Sequence, residues 1–467
     1  MKLMPKTGIQ VSKKLPDTVV QVVEKETFQM QTPVQALNWI LISNSKNTTR
    51  FYHLVVQFML QYIYNNHSVI LIGIMFFIFS CTNDNHNAQN DLILPGHIQE
   101  LQNLKIISTE HQVPDTVELF REVNFESSED VFLDGYINRI AIDDNERVYV
   151  GVSRMGQASV YVFRENGKFI TKIGRYGRGP GEFENIRSMD IVNNKLFLFC
   201  SSLQKVSIYS IEDFSHIRDV VIRNVIENQS DSLINRLRVD RLFVTDDETV
   251  IVRLKTLAIY SGADERTMLY RKLKNDGYLE SENLLKKERF KLYFPVNEGT
   301  DVPFTMPFTR SSLVTMTKGG HFFTNQTEEF LVKEYDGEGN YQRAFYYPML
   351  NAPLNMRDFD LRKERQRAID QYEMPESWPV VHTLEMDNKG RMWIASISEN
   401  DSTYLWHLVN QQGEMLARFQ LPGNRSSRNV MSEPLIRVHN NYFYTREVNQ
   451  QDGIDRIVKH KIEFIER

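Results

Sequence analysis

A glycine-rich stretch, GRYGRGPGEF (174–183), contains the residue types in this chain with the clearest potential for ligand chemistry. Closely spaced glycines allow backbone N–H groups to converge on an anion such as a phosphate. The stretch lacks both the Gly-Lys-Ser/Thr ending of a P-loop and the G-x-G-x-x-G spacing of a dinucleotide fingerprint. We therefore interpret residues 179–181 as a rigid turn that displays Arg175, Arg178 and Glu182. These three side chains are candidate ligand-binding residues.

Two acidic pairs, Asp143-Asp144 and Asp246-Asp247, occupy turns between short apolar segments. Paired carboxylates can bind calcium, but the alternating oxygen ligands of an EF-hand loop are missing from both turns. Aspartate also caps the backbone amides of a tight turn without any metal. We favour turn capping for both pairs.

Histidine is the other metal-ligating type in this sequence. The histidines of the C-terminal part of the chain include His321, His382, His407, His439 and His460. None forms a His-x-x-x-His pair, so a zinc site would have to assemble through space. His382, near the start of a predicted innermost strand, is a candidate ligand-binding residue, with an ordinary strand histidine as the alternative. The sequence also lacks a G-x-S-x-G elbow. We predict no catalytic residue, no resident metal and no cofactor.

Trp378 is a further candidate for ligand binding. It lies in a polar segment beside Pro375 and Pro379. An exposed tryptophan can stack on a sugar ring or anchor a protein partner. A position in the core is the alternative that the sequence leaves open.

The elements that would position these residues are repeated β-hairpins. An apolar strand, a polar or glycine-containing turn and a second apolar strand recur six times, at 140–152, 189–200, 242–254, 313–325, 384–396 and 435–447. Equivalent positions are 48, 54, 72, 70 and 50 residues apart. Such spacing with several strands per repeat is typical of a β-propeller. We predict an all-β, six-bladed β-propeller with four-stranded antiparallel blades.

The last blade lacks one strand, since the chain ends after IDRIVKHKIEFI (454–465). An alternating segment near the start of the repeat region, about 116–126, can supply that strand. Closure of the ring in this way hides two sheet edges at once. The predicted propeller domain therefore extends over residues 114–467.

The region before the repeats resembles a secretion signal. The apolar run SVILIGIMFFIFS (68–80) is too short to span a membrane but suits a signal-peptide core. The sequence Ile-Phe-Ser-Cys that ends at Cys81 resembles a bacterial lipobox, which implies cleavage before Cys81 and lipidation of its thiol. We predict an N-terminal extension with a signal segment (1–80) and a tether (81–113), and we expect the working protein to lack residues 1–80. An uncleaved N-terminal anchor and a buried globular strand are the alternatives.

The segment 173–183, IGRYGRGPGEF, also carries the most specific family resemblance. It resembles the G-x-x-G-x-G-P-G-E-[FY] segment of six-bladed propeller lipoproteins from Bacteroidetes, which are similar to NHL-repeat propellers. The resemblance implies a propeller on a lipid anchor at the cell envelope, associated with the outer membrane of a Gram-negative bacterium. It does not imply one activity. Some NHL-like propellers are lyases or hydrolases that hold metals in the central channel.

Long connections indicate where a ligand would bind. In a propeller, the connections from each outer strand to the next inner strand emerge on one face, here called the insertion face. We predict TMLYRKL (267–273) as the fourth strand of blade three, so that 274–310 and 348–379 are insertions on this face. The second insertion contains a predicted helix, 355–373. Insertions gathered on one face of a repeat scaffold often form its binding surface.

Composition restricts the partners. Lysine and arginine number 55 against 60 aspartates and glutamates, a net charge of −5, which gives no broad attraction to nucleic acid. We interpret the local basic cluster of Lys286, Lys287 and Arg289 as solvated loop charge. We expect a monomeric, non-catalytic binding or scaffolding module whose partner is a protein or a glycan at the envelope, facing either the periplasm or the outside. The alternative is an envelope enzyme, a metal-dependent lyase or hydrolase with its site in the central channel.

Overall fold

The computed structural model describes residues 94–107, 115–133, 135–223, 237–256, 266–293, 304–355, 369–370, 372–423, 425, 435–448 and 455–465. The predicted signal segment 68–80, Cys81 and most of the predicted helix 355–373 lie outside these residues. Among the residues that are described, no helix is long and apolar enough to cross a membrane.

The regular secondary structure of the described chain is almost entirely β-strand. It begins with one helical turn and two strands, α1 (Gly96–Gln99), β1 (Leu104–Ile106) and β2 (Thr116–Phe125). Blade one contains β3 (Tyr136–Ile142), β4 (Val148–Arg154), β5 (Gln157–Phe163) and β6 (Phe169–Ile173). Blade two contains β7 (Ser188–Val192), β8 (Lys195–Cys200), β9 (Lys205–Ser210) and β10 (His216–Val221). Blade three contains β11 (Leu237–Val244), β12 (Val250–Thr256), β13 (Thr267–Leu273) and β14 (Leu285–Glu288).

The remaining blades follow the same pattern. Blade four contains β15 (Ser312–Met316), β16 (Phe322–Gln326), β17 (Leu331–Tyr335) and β18 (Tyr341–Tyr346). Blade five contains β19 (Val381–Met386), β20 (Met392–Ile397), β21 (Thr403–Val409) and β22 (Met415–Pro422). Blade six contains β23 (Ile436–His439), β24 (Tyr442–Val448) and β25 (Asp455–Ile465). The six sheets confirm the predicted six-bladed, all-β architecture.

An N-terminal strand closes the ring, as predicted from the sequence. β2 pairs antiparallel with β25, from Thr116 opposite Ile465 to Phe125 opposite Ile457. The order of this sheet is β2, β25, β24 and β23, and β23 contacts the inner strands of blades five and one. The edge of the C-terminal strand is therefore covered by the start of the domain.

The N-terminal segment also contacts two other blades. β1 adds a fifth strand, parallel to β18, to the outer edge of blade four. Asp115 then bridges to Ala417 on the outer strand of blade five, before β2 enters blade six. We call this path, from Gly96 to Phe125, the belt. Residues 94–107, which the sequence interpretation included in the tether, pack on the propeller, because β1 pairs with β18 and His97 bonds to Glu329.

Blade three corrects one strand assignment. β13, which contains the predicted fourth strand, is the third strand, and β14 is the fourth, with Thr267 opposite Glu288. The sequence signal of β14 is weak because LKKE is short and mostly charged. Residues 274–284 therefore connect the third and fourth strands, and the connection to blade four on the insertion face is 289–311. The predicted insertion 274–310 thus begins about fifteen residues too early.

Apolar clusters lie between adjacent blades, because alternate residues of each strand face opposite neighbours. The junction of blades one and two contains a large apolar cluster, which includes the buried Cys200 and Phe183. The junction of blades three and four is built on a smaller cluster around Tyr270 and Phe322. The two insertions form a separate cluster with each other, here called the cap core. The described parts of the two insertions therefore pack against each other.

Candidate functional site

The glycine-rich turn uses most of its charged groups internally. Arg175 Nε donates to Glu182 Oε1 at 2.7 Å, and the Gly179 N–H donates to Glu182 Oε2 at 2.9 Å. The Gly179 N–H and then Arg175 hold the pKa of Glu182 below its usual value, because both stabilise the carboxylate. Arg178 pairs with Glu184 at 2.6 Å, and this bond raises the pKa of Arg178.

Side chains of β9 and β10 in blade two hold the same turn in place. Lys205 Nζ, almost fully buried, donates to the Gly179 carbonyl oxygen and to Asp219, each at 2.9 Å. The Tyr209 hydroxyl donates to the Gly181 carbonyl oxygen, and the Gly181 N–H donates to Asp219 at 3.2 Å. The backbone and Glu182 thus form a rigid interblade turn, while the Arg175 and Arg178 side chains remain 79% and 80% exposed. Of the three candidate side chains, the two arginines are accessible to a ligand from solution, and each already pairs with a glutamate.

Trp378 is buried, which corresponds to the core position that the sequence left open and not to an exposed stacking surface. Its exposed fraction is 0%, and its ring packs edge-on against Phe308 in the cap core. The Arg425 guanidinium lies 5.1 Å from the centre of the indole. The backbone N–H of Trp378 donates to the Ala352 carbonyl oxygen at 2.8 Å. Sequence reasoning missed this burial because a polar segment gave no sign that the two insertions share a core.

His382 lies at a bulge near the start of β19 and is half-buried. Its ring stacks on Tyr404 with centroids 4.3 Å apart, and its Nδ1 is 2.7 Å from the Thr383 hydroxyl. Tyr404 also packs against the cap core that contains Trp378. The structure therefore brings His382 and Trp378 to neighbouring positions, and places Arg175, Arg178 and Glu182 together at another junction.

The acidic turns agree with backbone capping. Asp143 accepts bonds from the Arg147 N–H, from Arg147 Nε and from the Tyr149 hydroxyl. Asp387 makes the same set with Arg391 and Trp393 in blade five. Within the part of the chain that the structure describes, no three His, Cys, Asp or Glu side chains are grouped as metal ligands.

A cavity of about 300 Å³ lies between blades three and four, at the insertion face. Its walls come from the ends of β15, β16 and β17 that adjoin this face, from Lys287 of β14, and from His97 of the belt. The lining residues are His97, Lys287, Ser312, Thr324, Asn325, Gln326, Glu328, Glu329, Leu331, Lys333 and Tyr335. We call this space the interblade cavity. Its volume is at the lower end of the range typical of small-molecule sites.

Two buried side-chain atoms of the lining residues are unsatisfied, and strand pairing puts them on opposite faces of blade four, with Ser312 directed at blade three. Ser312 Oγ and Asn325 Oδ1 have no hydrogen-bond partner among the described residues. The Asn325 amide nitrogen, in contrast, donates to the carbonyl oxygens of Glu329 and Leu331, so the orientation of this side chain is fixed. A buried polar atom without a partner costs free energy, so a ligand that supplies one stabilises the complex.

Lys287 supplies positive charge at the cavity. Its Nζ donates to the Tyr335 hydroxyl at 3.0 Å and lies 4.2 Å from the centre of that ring. Burial lowers the pKa of Lys287 to about 8, because no carboxylate compensates the lost hydration. At the rim, His97 of the belt pairs with Glu329 at 2.9 Å.

Further cations lie behind this wall, around one carboxylate. Asp240 of the inner strand β11 accepts from Arg253 at 2.8 Å and from Lys255 at 3.0 Å, with Arg187 at 3.9 Å. Burial alone would raise the pKa of Asp240, but Arg253 and then Lys255 and Arg187 outweigh it and hold this pKa well below its usual range. By strand alternation, Arg253 and Lys255 lie on the face of blade three that is directed at blade four.

A basic cluster in the sequence marks this region of blade three. Of Lys286, Lys287 and Arg289, only Lys286 is exposed, as the predicted solvated loop charge requires. Lys287 and Arg289 are spaced by two residues on and just after a strand, so they share one partly buried face. The residues of the opposite wall, such as Ser312 and Asn325, carry no recognisable motif.

Comparison with known proteins agrees with this fold. Residues 97–236 match the model of the DUF5128 family, described as a 6-bladed beta-propeller. Among solved structures, the chain is similar to a Bacteroides fragilis protein described as exported (11% identity, TM-score 0.43, covering 77% of this chain and 99% of that one). It is also similar to a DUF4221 family member from Bacteroides vulgatus (10%, 0.43, 76% and 100%) and to virginiamycin B lyase from Staphylococcus aureus (10%, 0.35, 74% and 99%). No curated protein matches the chain. The family match and the six four-stranded blades identify the chain as a six-bladed β-propeller and confirm the resemblance to propellers of this kind.

Proposed function

We propose that this propeller is a non-catalytic binding module of the cell envelope, and that it binds a small polar ligand, or one unit of a glycan, in the interblade cavity. The observation that carries the proposal is Ser312 Oγ, which is buried without a partner among the described residues on the face of blade four that is directed at blade three. Natural proteins leave few such atoms, and each calls for an explanation. A hydroxyl-bearing ligand in the cavity would supply the partner that Ser312 lacks.

The chemistry of the wall favours a ligand rich in hydroxyl groups. Ser312 and Thr324 offer hydroxyls that both donate and accept, and Gln326 offers an amide. Lys287 adds a positive charge, while the apolar surface is limited to Leu331 and the Tyr335 ring. Such a set recognises sugars or similar polar molecules better than it recognises aliphatic ones.

The position of the cavity fits a binding role. Ser312 follows directly on the connection 289–311, so the cavity is at the face where both insertions are located. The cap core stabilises those insertions through buried contacts between Trp378, Phe308 and Tyr293. A preformed wall loses little conformational entropy on binding.

A blocking substitution tests this proposal. Gln326 is exposed at the cavity, so we expect Gln326→Trp to fill the cavity without disturbing the apolar core. Ligand-observed NMR with monosaccharides, sugar acids, amino acids and dipeptides would first find a class that binds the wild-type chain. We expect Gln326→Trp to abolish that binding. The matched control is Gln412→Trp, at an exposed turn of blade five, which should bind like the wild type.

Two results would contradict the proposal. One is a ligand class that binds the Gln326→Trp protein as well as the wild type. The other is the failure of every class to bind the wild-type chain.

We further propose that the module is held at the membrane by a lipid on Cys81. The support is the apolar run 68–80 followed by the lipobox-like sequence that ends at this cysteine. The intact mass of native protein tests it, with the expected species beginning at Cys81 and carrying acyl chains. The Cys81→Ala variant should leave the membrane fraction. A native species that retains residues before Cys81 would contradict lipidation.

The enzyme alternative stays a prediction with its own measurement. It requires a metal held in the central channel, as in some NHL-like propellers. Elemental analysis of the purified chain decides between the two, since stoichiometric zinc or calcium would favour the enzyme.

A further inference from the structure

Two arginines flank one buried aromatic ring at the edge of blade three. Arg266 directly precedes β13 and Arg289 directly follows β14, and the Arg289 N–H donates to the Arg266 carbonyl oxygen at 2.8 Å. Their guanidinium carbons lie 5.1 Å and 4.3 Å from the centre of the Phe290 ring. Backbone pairing and the shared ring therefore hold the two cationic groups near one another.

Arg266 is buried without compensation. Its exposed fraction is 5%, and its Nε and Nη1 atoms have no hydrogen-bond partner among the described residues. Arg289 donates through Nη1 to the Thr256 carbonyl oxygen at 2.7 Å. No ion pair of either arginine occurs within the described part of the chain. The nearby carboxylate, Asp240, is already paired with Arg253 and Lys255.

The energetics of this arrangement favour an anion. A buried cation that lacks a counter-charge is costly, and burial lowers the pKa of Arg266 to about 10. Burial and then the charge of Arg266 lower the pKa of Arg289 to about 10. An oxyanion that contacts both guanidinium groups would remove both penalties, because the guanidinium fork matches the oxygens of a carboxylate or a phosphate.

We propose that Arg266 and Arg289 form a binding site for an oxyanion, the carboxylate or phosphate group of an acidic sugar or a similar polar ligand. The site shares a face of blade three with Lys287, which lines the interblade cavity. The inference rests on the proposed function for the remainder of the ligand. It adds the charge of that ligand and the residues that recognise the charge.

A purely structural role is the competing explanation. Arginine stacks on aromatic rings, and two guanidinium groups on Phe290 could simply fill space at the edge of the blade. The two roles predict opposite effects of charge removal. A packing role makes Arg266→Gln destabilising under all conditions. An anion site makes the same variant more stable than the wild type when no anion is bound.

The test uses the full chain and three variants: Arg266→Gln, Arg289→Gln and the control Lys286→Gln. Lys286 lies on the same strand, but it is exposed and its side chain belongs to the opposite face. The probes are inorganic phosphate, D-glucuronate and D-glucose, at ionic strength held constant with sodium chloride. Calorimetric titration gives Kd, and thermal unfolding gives Tm with and without each probe.

We expect phosphate, glucuronate or both to bind the wild type and to raise its Tm. Each arginine substitution should weaken that binding by about tenfold or more, the size expected for one charged hydrogen bond. The Lys286→Gln control should bind like the wild type. Binding of phosphate but not glucuronate assigns a phosphate group to the ligand, and the reverse assigns a carboxylate.

The inference fails if neither anion binds the wild type, or if either binds both arginine variants with unchanged Kd. It also fails if Arg266→Gln lowers Tm and leaves anion binding intact. Should Arg266→Gln not fold, the half-buried Arg289 supplies the same readout through Arg289→Gln.

The failure of the two proposals can be told apart. Anion binding that persists in Gln326→Trp supports the arginine site and removes the cavity from the proposed function. Glucose binding that is equal in all arginine variants, without any anion binding, supports the cavity and removes the arginine site.

Discussion

Two junctions of the propeller bury a basic side chain in different ways: the junction of blades one and two, and the junction of blades three and four. At the first, Lys205 is buried, but it bonds to the Gly179 carbonyl oxygen and to Asp219. At the second, Arg266 is buried without a hydrogen bond from two of its nitrogens among the described residues. Both junctions have an apolar cluster beneath these groups. The difference teaches that a buried cation can be fully bonded at one junction and lack a described counter-charge at another.

The difference is confined to part of the second junction. Near the turn between β17 and β18, Gly339 has a φ of +85°, and a Cβ there would lie only 1.8 Å from the Leu284 carbonyl oxygen. Blades three and four thus approach as closely as a glycine allows at that turn. The polar cavity is at the insertion face, where Ser312 and Gln326 are located.

The largest expected loss of stability is at the junction of blades one and two. Lys205→Met should lower the free energy of unfolding by about 3 kcal/mol, because it leaves Asp219 and the Gly179 carbonyl oxygen without their buried partner. Chemical denaturation measures this change. Lys168→Met, at an exposed turn position, is the control and should change stability by less than about 0.5 kcal/mol. Equal effects at the two positions would show that the buried lysine does not hold the turn.

The pH dependence of stability tests the burial of Lys287 at the junction of blades three and four. Its pKa is about 8 in the folded chain and near 10.5 when unfolded, so between these values the unfolded state binds more protons. Stability should therefore increase as the pH rises from 8 to 10.5, by at most about 3 kcal/mol. At pH 7 the burial penalty is fully present.

Lys287→Met isolates this contribution. The difference in unfolding free energy between wild type and variant should shrink or reverse in favour of the wild type as the pH rises through that window. Urea denaturation at several pH values measures the difference. A pH-independent difference would mean that Lys287 stays hydrated and that the cavity wall is not a low-dielectric site.

The smallest effects come from a pair of hydroxyl deletions. Tyr209→Phe removes a bond to the Gly181 carbonyl oxygen and should cost about 1 kcal/mol. Ser312→Ala removes a buried hydroxyl that has no partner in the described chain, so we expect no loss of stability or a slight gain. Thermal unfolding of both variants measures the contrast. A cost for Ser312→Ala as large as for Tyr209→Phe would show that the cavity wall is as fully bonded as the closed turn.

Most of the fold could be predicted from the sequence because alternating apolar residues specify strands locally. The hairpins of blades one, two, four, five and six follow that alternation, and β2 could be assigned because blade six lacked one strand. β14 was missed since two of its four residues are lysines and a third is glutamate. Its pairing with β13 depends on tertiary context, which overrides a weak local signal.

The candidate site was harder to predict than the fold. The glycine-rich turn attracted attention through its motif, yet Glu182 is occupied by the turn itself. Trp378 seemed exposed because its neighbours in sequence are polar, whereas its neighbours in space are Phe308 and Tyr293. The interblade cavity depends on the gap between two sheets, and no spacing along the chain encodes such a gap. The only local trace was the basic cluster near Lys287.

The belt has a mechanical consequence. Any tension that reaches Leu94 from upstream acts first on the three residue pairs between β1 and β18, and on the ion pair of His97 with Glu329. His97 and Glu329 border the cavity, whereas the closing strand β2 is farther along the belt. Blade four would therefore yield before the ring opens. If the proposed lipid anchor and the proposed cavity ligand are both present, tension on the anchor would release the ligand before the propeller unfolds.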